Sequence, residues 1–131
     1  MAHIPYEQKL NHKADFRVSY RFYAENEGGR KRTPSQGYRA DFWYEHPANS
    51  NVNQIFMIWP EFENTHKEVI LDNSSVTELG TARMWIINAK MRSYHLDKIT
   101  IGVKGYFMEG ARRVGECEVI EILGLSENPI D

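Results

Sequence analysis

A two-residue alternation of apolar and polar side chains recurs along this chain. Phe16, Val18, Tyr20 and Phe22 alternate with Arg17, Ser19 and Arg21, which puts one set on each face of an extended strand. Tyr38, Ala40, Phe42 and Tyr44 repeat the pattern against Arg39, Asp41, Trp43 and Glu45. A third strand is expected over 54–59, with Ile55, Met57 and Trp59 on one face and Pro60 as its limit. Ala82, Met84 and Ile86 alternate within 81–88, Ile99, Ile101 and Val103 share a face within 97–108, and a last strand runs over 113–123. Val69–Leu71 is a candidate for one more short strand. No segment sustains a helical period, and residues 89–96 offer a single helical turn at most.

Six or seven strands with closely spaced turns predict an all-β, antiparallel barrel or sandwich. Gly102 and Gly105 are candidate bulge or bend positions. Closure into a barrel would remove the exposed edges that such strands otherwise present. The length of 131 residues suits one domain. Its expected divisions are an extended arm over 1–14, a barrel over 15–124 and a tail over 125–131. Residues 61–80 carry little pattern.

Charge and composition narrow the function classes. The net charge of −2 removes any global electrostatic case for nucleic acid or an anionic membrane, so a local basic patch would have to make that case. No apolar run approaches the roughly 18 residues of a membrane-spanning helix, and the single cysteine, Cys117, excludes an intrachain disulfide. A cytoplasmic protein without membrane association is the expectation. His3, His12, His46, His66 and His95 lack ligand spacing, so no metal is expected. No nucleophile–base constellation or carboxylate pair stands out, and the chain reads as non-enzymatic, with no cofactor.

The most distinctive segment is ENEGGRKRTPSQGYRADFWYE, residues 25–45. Its glycines and cations invite a phosphate-loop reading, but the G-x-x-x-x-G-K-[ST] spacing and a following helix are missing. Nucleotide binding is therefore not expected. The segment has an echo, since Glu27-Gly-Gly-Arg-Lys31 and Glu109-Gly-Ala-Arg-Arg113 share one pattern. Arg30, Lys31, Arg32 and Arg39 form one cationic cluster, and Arg112 and Arg113 a second. Each is either a solvated turn or part of an anion-binding patch, according to whether the two meet in space.

Together, EGGRKRTPSQGYRADFWY and FMEGARRVGECEVIEIL resemble the third domain of bacterial elongation factor Tu. Glu27, Gly28, Gly29, Arg30, Gly37, Tyr38, Arg39, Phe42 and Tyr44 stand in register with its first hairpin. Glu109, Gly110, Arg112, Val114, Gly115 and Val119 do so with its terminal strands, and Trp59-Pro-Glu61 resembles the family's Leu-Pro-Glu. The resemblance spans about residues 15–124 and implies a six-stranded antiparallel closed β-barrel, with an extra segment near 62–80. It also implies that the two loops converge on a surface used against the T-stem of aminoacyl-tRNA. By position, Arg30, Lys31, Asp41, Met108, Glu109 and Gly110 would lie there.

The departures matter as well. The family's nucleotide-binding domain has no counterpart in this sequence. Asp41 stands where the family has glutamine, which removes two donors and adds a negative charge. Met108 replaces a basic residue. Three readings follow from the resemblance. One is a protein-interaction domain whose partner is a translation factor or a dedicated partner such as a toxin. The second is a weak tRNA-binding module, and the third is a barrel reused for an unrelated role. The candidate RNA- or partner-binding residues are Arg30, Lys31, Arg32, Arg39, Asp41, Met108, Glu109, Gly110, Arg112 and Arg113.

Overall fold

The computed structural model describes residues 3–50 and 55–131. Within these the chain forms α1 (Tyr6–Leu10), β1 (Phe16–Phe22), β2 (Asp41–Tyr44), β3 (Ile58–Glu63), β4 (Leu79–Ile86), α2 (Arg92–His95), β5 (Lys104–Glu109) and β6 (Arg112–Ile122), with short 3-10 turns between. The strands make one antiparallel sheet in the order β2-β5-β6-β1-β4-β3. The long strands β6, β1 and β4 lie in the interior of the sheet, each paired on both sides, and the shorter β2 and β3 form the edges.

Alternation decides the core. Phe16, Val18, Tyr20 and Phe22 of β1 are buried, as are Phe42 and Tyr44 of β2, Ala82, Met84 and Ile86 of β4, and Val114, Cys117 and Val119 of β6. Their rings interlock: Phe22 lies 5.3 Å from Phe107 and Tyr20 5.3 Å from Phe62, centroid to centroid. β6 carries the curvature. Its register shifts against β1 between Arg17 and Val18, and against β5 between Phe107 and Met108. Each shift adds one residue to β6 and bends it. Gly105 marks a close approach, since a Cβ there would sit 2.2 Å from Phe42 Cζ.

The sheet curls but does not reach the expected closed barrel. Among the described residues β2 and β3 share no ladder; β2 meets the chain just before β3 at the bridge between Phe42 and Phe56, whose two backbone bonds measure 2.9 and 2.8 Å. Farther along β3 the free edge is already occupied. The Gln36 side chain accepts from Phe62 N at 2.8 Å and donates to Phe62 O at 2.9 Å, and Ile70 N donates to Phe62 O at 3.0 Å. A side chain and a returning loop thus cover the edge that a barrel strand would fill.

Several sequence expectations are corrected. Pro60 does not limit the third strand but lies inside β3, which an edge strand tolerates. Along residues 55–63 the apolar side chains turned into the core are Phe56, Ile58 and Phe62, while Met57 is about half exposed; the core face is opposite to the expected one. Gln54 lies outside the described residues. Ile101 is exposed at 69%, because residues 101–102 turn through Gly102 at φ +96° before β5 begins. Val69 contributes only a bridge to Glu63. The single helical turn expected within 89–96 is present as a 3-10 turn running into α2.

The N-terminal arm is not simply extended. α1 packs Tyr6 edge-on to the buried Trp85, with centroids 5.8 Å apart. Beneath it the Glu61 carboxylate accepts from Tyr6 N at 2.9 Å and Trp85 Nε1 at 3.1 Å, and pairs with His3 Nε2 at 2.6 Å. Asp15 is equally buried; it accepts from Arg92 Nε at 2.7 Å, Ile86 N at 2.9 Å and Asn128 Nδ2 at 2.9 Å. That carboxylate joins β4, α2 and the C-terminal tail. Each buried carboxylate is surrounded by donors, the condition under which a buried charge is tolerated.

Candidate functional site

The two glycine-rich loops meet. The first leaves β1 through a 3-10 turn (Glu25–Glu27) and reverses at Gly28, φ +91°. Gly29 then presses against Tyr23, where a Cβ would lie 2.1 Å from the carbonyl oxygen; only glycine fits this approach. The second loop is the tight connection between β5 and β6, with Gly110 at φ +62°. Glu109 and Arg112 face each other across it.

Glu109 is the meeting point. Its carboxylate accepts from Arg30 Nη1 at 2.5 Å, from Arg112 Nη2 at 3.2 Å and from the Tyr38 hydroxyl. The Arg30 guanidinium also lies 5.0 Å from the centre of the Tyr38 ring. Burial acts to raise the Glu109 carboxyl, but the bonds from Tyr38 and Arg30 outweigh it and hold the group below the usual carboxylate range. Burial and the Glu109 acceptor push the Tyr38 phenol well above its ordinary value. Arg30 is thus already turned onto a carboxylate, whereas Arg112 shares that group through one longer bond and stays largely exposed. Lys31 and Arg32 stay exposed at the rim.

The segment near 62–80 holds this loop. Thr33 Oγ1 donates to Val76 O at 2.6 Å, Val76 N donates to Pro34 O at 2.9 Å, and Gln36 Nε2 donates to Ile70 O at 2.8 Å. These bonds tie the 33–36 part of the first loop to the segment.

A second group lies beside the first on the outer face of β2, β5 and β6. Asp41, Met108 and Arg113 are successive register partners across the three strands. Trp43 and Tyr106 stack at 24° with centroids 6.2 Å apart, and Arg113 caps them, 3.8 Å from Tyr106 and 5.6 Å from Trp43. The Tyr106 hydroxyl donates to Glu45. Met108 is mostly buried, and burial alone pushes the Asp41 carboxyl up. Arg39 does not join either group; its guanidinium lies 4.8 Å from the Trp59 ring on the β3 side.

Sequence reasoning named the arginines and missed Tyr38, Trp43 and Tyr106. The available signal was parity. Trp43 falls among Arg39, Asp41 and Glu45 on the polar side of its strand, where a large aromatic departs from the alternation. Among the described residues no group of His, Cys, Asp or Glu is arranged to hold a metal ion, and no helix is long and apolar enough to cross a membrane. No known protein family matches the chain, and no curated protein is significantly similar to it.

Proposed function

We propose that this protein is a non-catalytic interaction module related to the third domain of elongation factor Tu, and that its partner is a protein linked to translation or to toxin neutralisation. The observation that carries the reading is the pairing of Arg30 with Glu109, which Arg112 shares, beside the capped Trp43–Tyr106 pair. Tryptophan, tyrosine and arginine on rigid strands are the residues that dominate protein–protein binding energy. A phosphate-binding surface would instead leave its guanidinium forks free. The two converging E-G-x-R loops and the curled six-stranded sheet support the kinship.

The test uses the tagged full chain in an extract of its own cells. A translation factor or toxin should be retained by the wild type and lost for Trp43→Ala and Arg113→Ala, with circular dichroism confirming both folds. Retention unchanged in both variants would refute the reading. tRNA binding is the second reading, favoured by exposed Lys31 and Arg32 beside the loop. It predicts a salt slope of roughly −0.9 per neutralised phosphate. A slope near −4 would move the assignment to RNA, and one near −2 would match the two rim cations alone.

A further inference from the structure

Alternate residues of a strand point to one face, so Asp41 and Trp43 of β2 share the outer side of the sheet with Glu45 just beyond them. Asp41 and Trp43 are half-buried and Glu45 is exposed. Every other carboxylate in the six strands has a basic partner. Glu61 meets His3, Glu63 and Glu121 meet Arg17, Glu109 meets Arg30, Glu116 meets Arg21 and Glu118 meets Lys104. Among the described residues Asp41 has none, and burial with no compensating donor pushes its carboxyl up. Its cross-strand neighbour is the mostly buried Met108. Arg113, beyond Met108, is turned onto the Tyr106 ring at 3.8 Å. The bridge between Phe42 and Phe56 is antiparallel, so the chain before Phe56 runs toward Tyr44 and away from Asp41.

A half-buried carboxylate beside an apolar side chain carries a desolvation cost that a bound cation would offset. Asp41 and Trp43 stand two residues apart, about 7 Å along the strand. A guanidinium spans that gap, since its planar fork pairs with a carboxylate while its face stacks on an aromatic ring. Arg113 already shows the Trp43–Tyr106 pair taking one guanidinium. A lysine ammonium is a compact, strongly hydrated charge without that planar face. Asp41 and Glu45, on either side of Trp43, outnumber Arg113 and disfavour a phosphate or an acidic segment. Lys104, whose carbonyl accepts from Glu45 N, pairs with Glu118 at 2.7 Å. Resting on the protein-interaction reading above, we propose that this face of β2 receives an arginine side chain of the partner protein, its guanidinium paired with Asp41 and stacked on Trp43.

The experiment titrates the isotope-labelled full chain with end-blocked Gly-Gly-Arg-Gly-Gly, and separately with its lysine and glutamate counterparts. The Trp43 indole and Asp41 carboxyl resonances are expected to shift saturably with the arginine peptide, and the Asp41 carboxyl to titrate at lower pH when the peptide is bound. The lysine peptide should bind about fivefold more weakly. Asp41→Asn keeps the side-chain shape, removes the charge, and should weaken the arginine peptide by about as much. No saturable shift, equal binding of the arginine and lysine peptides, or unchanged binding to Asp41→Asn would each overturn the proposal. A preference for the glutamate peptide would overturn it too and assign the face to an acidic partner held by Arg113. A translation factor or toxin retained through Trp43, with no binding of the arginine peptide, would leave the interaction reading standing without this site. Arginine-peptide binding with no such protein retained would do the reverse.

Discussion

Single side chains hold this protein's charges in place, and their titration separates them. Glu63 is buried and accepts from Arg17 Nε, Arg83 Nε and Thr81 Oγ1 at 2.8–2.9 Å. Burial acts to raise its carboxyl, but these bonds prevail and hold it low. A depressed carboxyl stabilises the fold above its unfolded value, near 4.3, and the contribution is lost as pH falls through the folded value. Glu63→Gln should therefore cost about 3 kcal/mol at pH 7 and flatten the decline in urea midpoint below about pH 4.

His95 acts in a different window. Above about pH 6.5 its ring is neutral in both states and contributes nothing. Below that, the unfolded chain takes up a proton that the folded chain refuses until about pH 4. Stability should then fall by about 3 kcal/mol across the interval, at 1.36 kcal/mol per unit. Urea midpoints at pH 7 and pH 5 read about 2 kcal/mol of it, since about 1.5 of those pH units lie above pH 5, and His95→Phe should remove most of the difference. At the loop surface, Glu109→Gln frees two arginines. It should cost about 1 kcal/mol of stability and strengthen salt-sensitive tRNA retention in a filter assay. Of these residues the sequence pointed to Glu109 alone, through its repeated E-G-x-R pattern. Glu63 and His95 gain their roles from partners 46 and 51 residues away, a distance no local pattern reports.

Elements were legible where alternation was strict. β1, β2 and β4 pair arginine, threonine or aspartate with apolar neighbours, and only one face of each can enter the core. β3 failed that test, because Ile55, Phe56, Met57, Ile58 and Trp59 are apolar at both parities. Its face was chosen by the Phe42–Phe56 bridge and the register Ile58–Ile86 with β4, and a one-residue slip would have inverted it. Gly105 belongs to this scale. Gly105→Ala would drive a methyl into the packed Phe42 ring between β5 and β2. A loss of about 2–3 kcal/mol is expected, read from denaturant midpoints, together with a shift of the Trp43–Tyr106 stack visible in near-ultraviolet circular dichroism.

For the molecule as a whole, the two chain ends close the outside of the sheet. The arm covers Trp85 and Glu61, and the tail brings Leu125 and Asn128 against the β1 end of the core. Removing residues 1–12 would expose Trp85 and strip two of the three groups that meet the Glu61 carboxylate. A loss of about 3 kcal/mol and a red-shifted tryptophan emission are expected, both measured in one thermal melt followed by fluorescence. An unchanged melting temperature would mean that the arm contributes nothing to stability.

Local order in the chain was enough to establish strand content, antiparallel pairing and the inner faces of the alternating strands, because burial of one face acts on neighbouring residues and leaves its period in their order. It also marked the two loops as a pair. How the arginines of those loops are paired, whether the sheet closes, and which histidine is buried against a tyrosine depended on contacts between residues far apart in the chain. Arg30 and Glu109, Gln36 and Phe62, and Tyr44 and His95 meet only after the sheet has curled. Their energies are pairwise and geometric, so they leave no periodic trace in the residues around them.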